Sequence, residues 1–241
     1  MNNYQLKIIV LAAGKSTRFN GIKVLAPIIK KTPTSLLEQA QPEHAISMVE
    51  HVLTQVSSAL AALNITPANL QVATGQYHAE ITKLIGEKYS LIHCQDANLG
   101  MGHTISNAVE NMLKQANSAK NEASNISHIM ITLADQVALN ADDYIKLIKQ
   151  SLKTPEQLIC AMSSPKSEQA SEQLSNQPAG TTISPPAIFP HRYFNDLMKL
   201  QGDKGAKALL HGNKDNLKTV LLANAKIDID TPQELRHWIN R

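Results

Sequence analysis

Four short segments hold the residue types from which phosphate and metal chemistry is built. The first reads Leu11-Ala12-Ala13-Gly14-Lys15-Ser16-Thr17-Arg18, with Gly21 and Lys23 close behind. Small side chains at 12–14 let the backbone approach a ligand, and the N–H groups of such a turn can cradle phosphate oxygens. Lys15, Arg18 and Lys23 place three cations within nine positions, a set suited to a triphosphate. Gly14-Lys15-Ser16 shares its residues with the end of a Walker A loop, but that loop needs a glycine where Ile9 stands, so a P-loop is ruled out. Taken alone, the segment reads equally as a strand-to-helix turn with solvated charges.

The second segment, Ala97-Asn98-Leu99-Gly100-Met101-Gly102-His103-Thr104, offers Gly100 and Gly102 as a place for a ribose or nucleotide edge against the backbone. It is not a dinucleotide fingerprint, because Ile105 occupies the third glycine position. His103 in this setting serves capping or packing more often than catalysis. The third, Leu133-Ala134-Asp135-Gln136, ends an apolar run on a carboxylate, which is costly to bury unless its charge is used. Asp135 is thus a candidate ligand for Mg²⁺, which takes one or two carboxylates and completes its shell from water and phosphate; the alternative is a helix N-cap. In the fourth, Ile227-Asp228-Ile229-Asp230-Thr231-Pro232, alternation puts Asp228 and Asp230 on one face of an extended segment. One would supply a second metal carboxylate while the other orients it or caps the helix; two solvated carboxylates are the alternative.

The elements that must position these segments alternate. Apolar runs at Leu6–Leu11, Leu70–Thr74, Ser90–Cys94, Ile129–Leu133 and Leu158–Met162 predict strands. Helical spacing runs from Met48 to Leu63, and over Ala79–Ile85, Ile105–Leu113 and Asp142–Leu152. A last helix over Pro232–Trp238 has Thr231 as N-cap, Pro232 at its first position and Glu234 at its third. Strands without polar alternation, separated by helices, predict a mostly parallel sheet covered on both faces. Ligands of such sheets bind outside the carboxyl ends of the strands, where all four segments fall. Polar stretches near 117–127 and 163–178 are expected to be loops, and 30–44 reads as an insertion.

Composition narrows the partners. The 241 residues are 43% apolar and 18% charged with a net charge of +3, as expected of a globular domain without affinity for nucleic acid. Aromatics at 4% argue against a single-strand stacking platform. Cys94 and Cys160 sit in apolar stretches and read as inert buried thiols. The longest N-terminal apolar run, Ile8 to Ala13, is too short for a signal peptide or a membrane span, so the expected location is cytoplasmic, away from any membrane.

In chain order the four segments resemble the MobA/MocA-type nucleotidyltransferases. LAAGKSTRFNGIK is similar to the LAAGxSxRFGxxK signature, NLGMGHTI to GMGxSL, LADQ to LADQP, and DIDTPQEL to DIDTPEDL. PPAIFPHRYFNDLMKLQGDKGAKALL resembles a stretch typical of the molybdenum cofactor cytidylyltransferase branch. The resemblance implies one Rossmann-like, three-layer αβα nucleotidyltransferase domain over residues 1–241, with a mostly parallel sheet. It implies transfer of CMP from CTP to the phosphate of molybdopterin, or of a sugar or alcohol phosphate in a related enzyme; a non-catalytic nucleotide-binding chaperone is the rival from another class. Leu11, Ala12, Ala13, Gly14, Lys15, Ser16, Gly100 and Gly102 would bind the nucleotide. Arg18 and Lys23 would grip its phosphates, and Asp135 with Asp228 or Asp230 would hold Mg²⁺ or Mn²⁺. His103, Gly202, Asp203 and Lys204 would face a pterin acceptor, with a molybdenum hydroxylase as the recipient of the product.

Overall fold

The computed structural model describes residues 4–19, 21–28, 45–66, 69–118, 126–163, 182–227 and 229–240. Of the expected loop segments, 30–44 and 119–125 lie outside the described residues, as does Asp228; so does 163–178 except for Ser163, which is the last residue of a strand and not part of a loop.

Strand β1 (Leu6–Ala12) is central and fully buried except at Lys7. It pairs in parallel with β4 (Leu70–Thr74) on one side and β6 (His128–Leu133) on the other. β5 (Ser90–His93) extends the β4 edge. Beyond β6 lie β8 (Thr182–Pro190), β7 (Leu158–Ser163) and β9 (Leu217–Leu221), giving the order β5-β4-β1-β6-β8-β7-β9. Only β8 runs antiparallel to its neighbours. A separate two-stranded ribbon joins β2 (Pro27–Ile28) to β3 (Ile46–Ser47).

Strand periodicity divides the core. Ile8, Val10 and Ala12 point to one face, under α1 (Met48–Ala62), α2 (His78–Ile85), α4 (Ala141–Lys153) and α7 (Pro232–Ile239). Ile9 and Leu11 point to the other, under α3 (Met101–Ser118), α5 (Phe194–Met198) and α6 (Lys207–Gly212). The result is the expected three-layer α/β, Rossmann-like arrangement. Capping boxes fix three helix starts, at Ser47 with Glu50, Asn140 with Asp143, and Thr231 with Glu234.

Two expectations need correction. Helix α3 starts at Met101, not Ile105, and takes in Asn117 and Ser118 instead of leaving them to a loop. A glycine in the first turn argues against helix, yet Gly102 belongs there because a β-carbon would meet the Gln201 backbone at 2.7 Å. Strand β8, with Pro185, Pro186 and Pro190, carries no helical or alternating signal and was not foreseen. Its first half is fastened by Gln136, whose amide donates to the Pro185 carbonyl at 2.7 Å, and its register against β7 shifts between Cys160 and Ala161.

Candidate active site

A cleft of about 440 Å³ opens at the carboxyl ends of the parallel strands β1, β4 and β6. The loop leaving β1 supplies one wall, with Leu11, Ala12, Ala13, Gly14, Lys15, Ser16 and Arg18 lining it and Lys23 at its end. Ser16 shapes this loop. It adopts a left-handed φ of 54°, and its hydroxyl accepts from the Lys23 backbone N–H at 3.0 Å. The Lys15 carbonyl accepts from the Gln76 amide and the Tyr77 hydroxyl at 3.4 Å each, tying the loop to the turn after β4. Gly75 ends β4 beneath this wall. A β-carbon there would lie 3.2 Å from the Ala13 methyl and 2.9 Å from that of Ala97, so three small residues close the floor between β1 and β4.

The charges gather at the β6 side. The Lys23 ammonium donates to Asp135 Oδ2 at 2.7 Å and to Asp230 Oδ1 at 2.8 Å, and its side chain is only 12% exposed. Arg18, 69% exposed, pairs through Nη2 with Asp230 Oδ2 at 2.7 Å. Burial lowers the proton affinity of Lys23, but the charges of Asp135 and Asp230 outweigh it and hold the ammonium above its ordinary pKa. The hydrogen bond from Lys23 keeps the Asp230 carboxyl below the ordinary value, against the opposing effect of burial. Asp230 is steadied from behind, its N–H donating to Glu234 Oε2 at 2.8 Å.

Asp135 is not a helix cap, since Asn140 caps α4. Its Oδ1 is buried and accepts no hydrogen bond among the described residues. An orphaned carboxylate oxygen beside a second carboxylate, with only oxygen donors, suits a hard divalent cation that fills the rest of its shell from phosphate and water. No group of three or more His, Cys, Asp or Glu side chains that could hold a metal ion occurs among the described residues. The place of Asp228, the other candidate carboxylate, lies outside the described residues.

At the opposite end the cleft is lined by Ala97, Gly100, Met101, Thr104 and Asp203. Here the second segment and the Gly202–Lys204 turn interlock. Gly100, at φ +119°, leaves no room for a side chain, since a β-carbon would come within 2.5 Å of the Gly202 backbone and Asp203 Oδ1. Gly205, at φ +53°, receives Met101 in the same way, with Sδ at 2.9 Å from where a β-carbon would lie. His103 Nδ1 accepts from the Gly202 N–H at 3.0 Å. Its ring nitrogen therefore fastens the first turn of α3 to the Gly202–Lys204 turn. His103, Gly102, Gly202 and Lys204 do not line the cleft; Asp203 and Gly100 do.

Thr17, Val24, Ala97, Met101, Thr104 and Leu133 also line it, in addition to the candidate residues of the four segments. Ala97 and Thr104 flank the glycine pair, and Leu133 closes a strand two residues before Asp135; position relative to the motifs was the available signal. Both cysteines are free and buried, and burial pushes their thiols up to about 11 for Cys94 and about 12 for Cys160, which leaves them unreactive. No helix among the described residues is long and apolar enough to cross a membrane.

Known proteins are similar to this chain in sequence or in fold. Purine catabolism protein PucB of Bacillus subtilis (strain 168) is 28% identical over 229 residues, covering 94% of this chain and 92% of the relative. Rv0371c of Mycobacterium tuberculosis H37Rv superposes over 100% of both chains at 16% identity, with a TM-score of 0.65. Its complex with manganese covers 99% of both chains at 15% identity, with a TM-score of 0.63. A CMP:2-keto-3-deoxy-manno-octonic acid synthetase complexed with CTP covers 98% of this chain and 97% of its own at 13% identity, with a TM-score of 0.66. The MobA-like NTP transferase domain matches residues 8–219, from the third residue of β1 to the third of β9. That span takes in both walls of the cleft, Lys23 and Asp135, and the chain belongs to the MobA-like NTP transferase family.

Proposed function

We propose that this nucleotidyltransferase moves CMP from CTP to the phosphate of molybdopterin. A phosphate oxygen of the acceptor attacks the α-phosphorus of CTP, a new phosphoanhydride bond forms, the bond between the α- and β-phosphates breaks, and pyrophosphate leaves. The acceptor is already a nucleophile, so the chain has to position two anions and neutralise their charge. The observation that carries this reading is the convergence of Lys23, Arg18, Asp135 and Asp230 at one end of a cleft walled by the β1 loop.

In this reading the N–H groups of the Ala12–Ser16 loop face the nucleotide, and Arg18 and Lys23 take the phosphates. Asp135 and Asp230 would hold Mg²⁺, or Mn²⁺ as in the mycobacterial structure, which supplies further neutralisation at the phosphates. Leu11-Ala12-Ala13-Gly14 resembles the cytidylyl-using branch of the family, not the guanylyl one. The CTP bound to a structural neighbour supports the same choice. A site that pairs the polar groups of cytosine leaves some unpaired against guanine, each at a cost of roughly 1–3 kcal/mol. Asp203 and the turn around it would meet the acceptor.

The test is pyrophosphate release from each of the four NTPs against molybdopterin and a panel of sugar 1-phosphates. CTP with molybdopterin should give the highest kcat/KM, about 10²-fold or more above GTP. Equal or better use of GTP overturns the nucleotide assignment. Turnover with sugar phosphates but not molybdopterin replaces the acceptor, and no pyrophosphate from any pair leaves the chaperone.

A further inference from the structure

Lys23 stands where the proposed divalent cation would have to be. Its ammonium lies within 2.8 Å of one oxygen from each of the two carboxylates assigned to that ion. Arg18 takes the second oxygen of Asp230, and only Asp135 Oδ1 has no partner among the described residues. The backbone beneath Lys23 is pinned by the Ser16 hydroxyl and by the 3-10 turn Lys23–Leu25. The side chain above it is an unbranched stem whose end can swing. Two converging carboxylates with no cation between them would repel, so the ammonium stabilises the ligand-free site.

Because it is tethered, this internal cation competes with any metal ion at a high effective concentration. A metal ion alone offers the ammonium nothing in exchange. A triphosphate does, because its oxygens can take the hydrogen bonds that the carboxylates give up. We propose that Lys23 is a tethered stand-in for the divalent cation, released from Asp135 and Asp230 only when the nucleotide's phosphates draw it away, so that metal and nucleotide bind with positive coupling. This rests on the assignment of Asp135 and Asp230 as the metal carboxylates above. Linkage makes the coupling reciprocal: the nucleotide tightens the metal by the same factor as the metal tightens the nucleotide.

The experiment is Mn²⁺ titration of the full chain, following loss of the free aquo-ion EPR signal and the water-proton relaxation of protein-bound ion. Each protein is measured with and without α,β-methylene-CTP, and its melting temperature reports folding. Wild type should bind Mn²⁺ at least about 5-fold more tightly with the analogue than without it. Lys23→Met should bind Mn²⁺ alone at least about 5-fold more tightly than wild type, with the gain from the analogue reduced. Lys23→Arg, which keeps the charge, should bind Mn²⁺ alone no more tightly than wild type.

If Lys23→Met binds Mn²⁺ alone no better than wild type, the stand-in is overturned; loss of analogue-dependent binding in Asp135→Asn would still uphold the metal site. If Asp135→Asn binds Mn²⁺ as wild type does with the analogue present, the metal assignment falls and the stand-in with it. Should Lys23→Met fail to fold, Lys23→Gln, which also removes the charge, is titrated in its place and decides by the same outcomes, and absence of coupling between Mn²⁺ and the analogue in wild type overturns the proposal.

Discussion

The two ends of the cleft are built from opposite materials. At the β6 side, four charged side chains hold one another through ion pairs, and every partner could be exchanged for a ligand atom. At the other end, Gly100, Gly102 and Gly205 let backbone and side chain approach where a β-carbon would collide. A charge cluster can be rewired when phosphate arrives, because ion pairs reform with any suitable partner. An interlock of backbones cannot, since its contacts are steric and nothing can replace them. The charged end can therefore respond to a ligand, whereas the interlocked end is preset.

The strongest way to break the responsive end is Asp135→Asn. Turnover should fall by about 10²–10³-fold while the melting temperature barely moves, because a single electrostatic contact at a reacting phosphate is worth that much. Steady-state kinetics in Mg²⁺ and a thermal melt check it; near wild-type kcat would mean the cleft is not organised around this carboxylate.

The preset end is tested by contrasting two glycines. Gly100→Ala forces a side chain into φ +119° and against the Gly202 backbone, which should cost about 1–3 kcal/mol and lower the melting temperature by several degrees. Gly14→Ala meets nothing within 4 Å, and its stability should stay within about 0.5 kcal/mol of wild type. In kinetics, Gly100→Ala should raise the KM for CTP and for the acceptor together, since Gly100 is assigned to the nucleotide and its β-carbon would displace Asp203, assigned to the acceptor. Equal melting temperatures for the two variants would remove the distinction between the ends.

Arg18→Ala separates binding from stability. Its guanidinium is largely exposed, so the pair with Asp230 contributes under about 1 kcal/mol to folding. The KM for CTP should nonetheless rise roughly tenfold, the equivalent of one charge-assisted hydrogen bond to phosphate. An unchanged KM would place Arg18 outside the nucleotide site.

The smallest effect is in pH. A carboxyl held below its ordinary value contributes stability that is complete above about pH 4 and is lost as pH falls through the folded value; Asp230 is such a group. Lys23, held above its ordinary value, contributes stability that is complete below about pH 10 and is lost only as pH rises through its folded value. The difference in melting temperature between wild type and Asp230→Asn should therefore be constant between about pH 5 and 10 and shrink toward acid. Solvent screening keeps the whole difference near 1 kcal/mol or less. A difference that grows toward acid would contradict the pairing.

Elements whose formation is local were legible in the amino-acid sequence. β1 and β6 read as strands because Ile8–Leu11 and Ile129–Ile131 are apolar runs of the length a covered parallel sheet requires, and α7 because Thr231, Pro232 and Glu234 spell its first turn. Strand β8 was hidden by its prolines, which remove the backbone donors a strand normally uses. The residue types at the charged end were legible as candidates for phosphate and metal chemistry. That Lys23 would turn to Asp135 and Asp230 was not, because spacing shows which groups are present and not which partner each prefers without substrate. The interlock of Gly100 with Gly202 was unreadable for a different reason: the contact depends on atoms that are missing.

The hydrogen bond from Lys23 to Asp230 spans 207 positions of chain, against 112 for the one to Asp135. During synthesis from the N-terminus, Lys23 and Asp135 are both made well before Asp230 emerges, and the Glu234 that steadies Asp230 comes later still. The charge cluster is thus completed only after Asp230 has been made. A nascent chain that has not yet reached Asp230 would have the β1 loop and its cations without the second carboxylate to balance them.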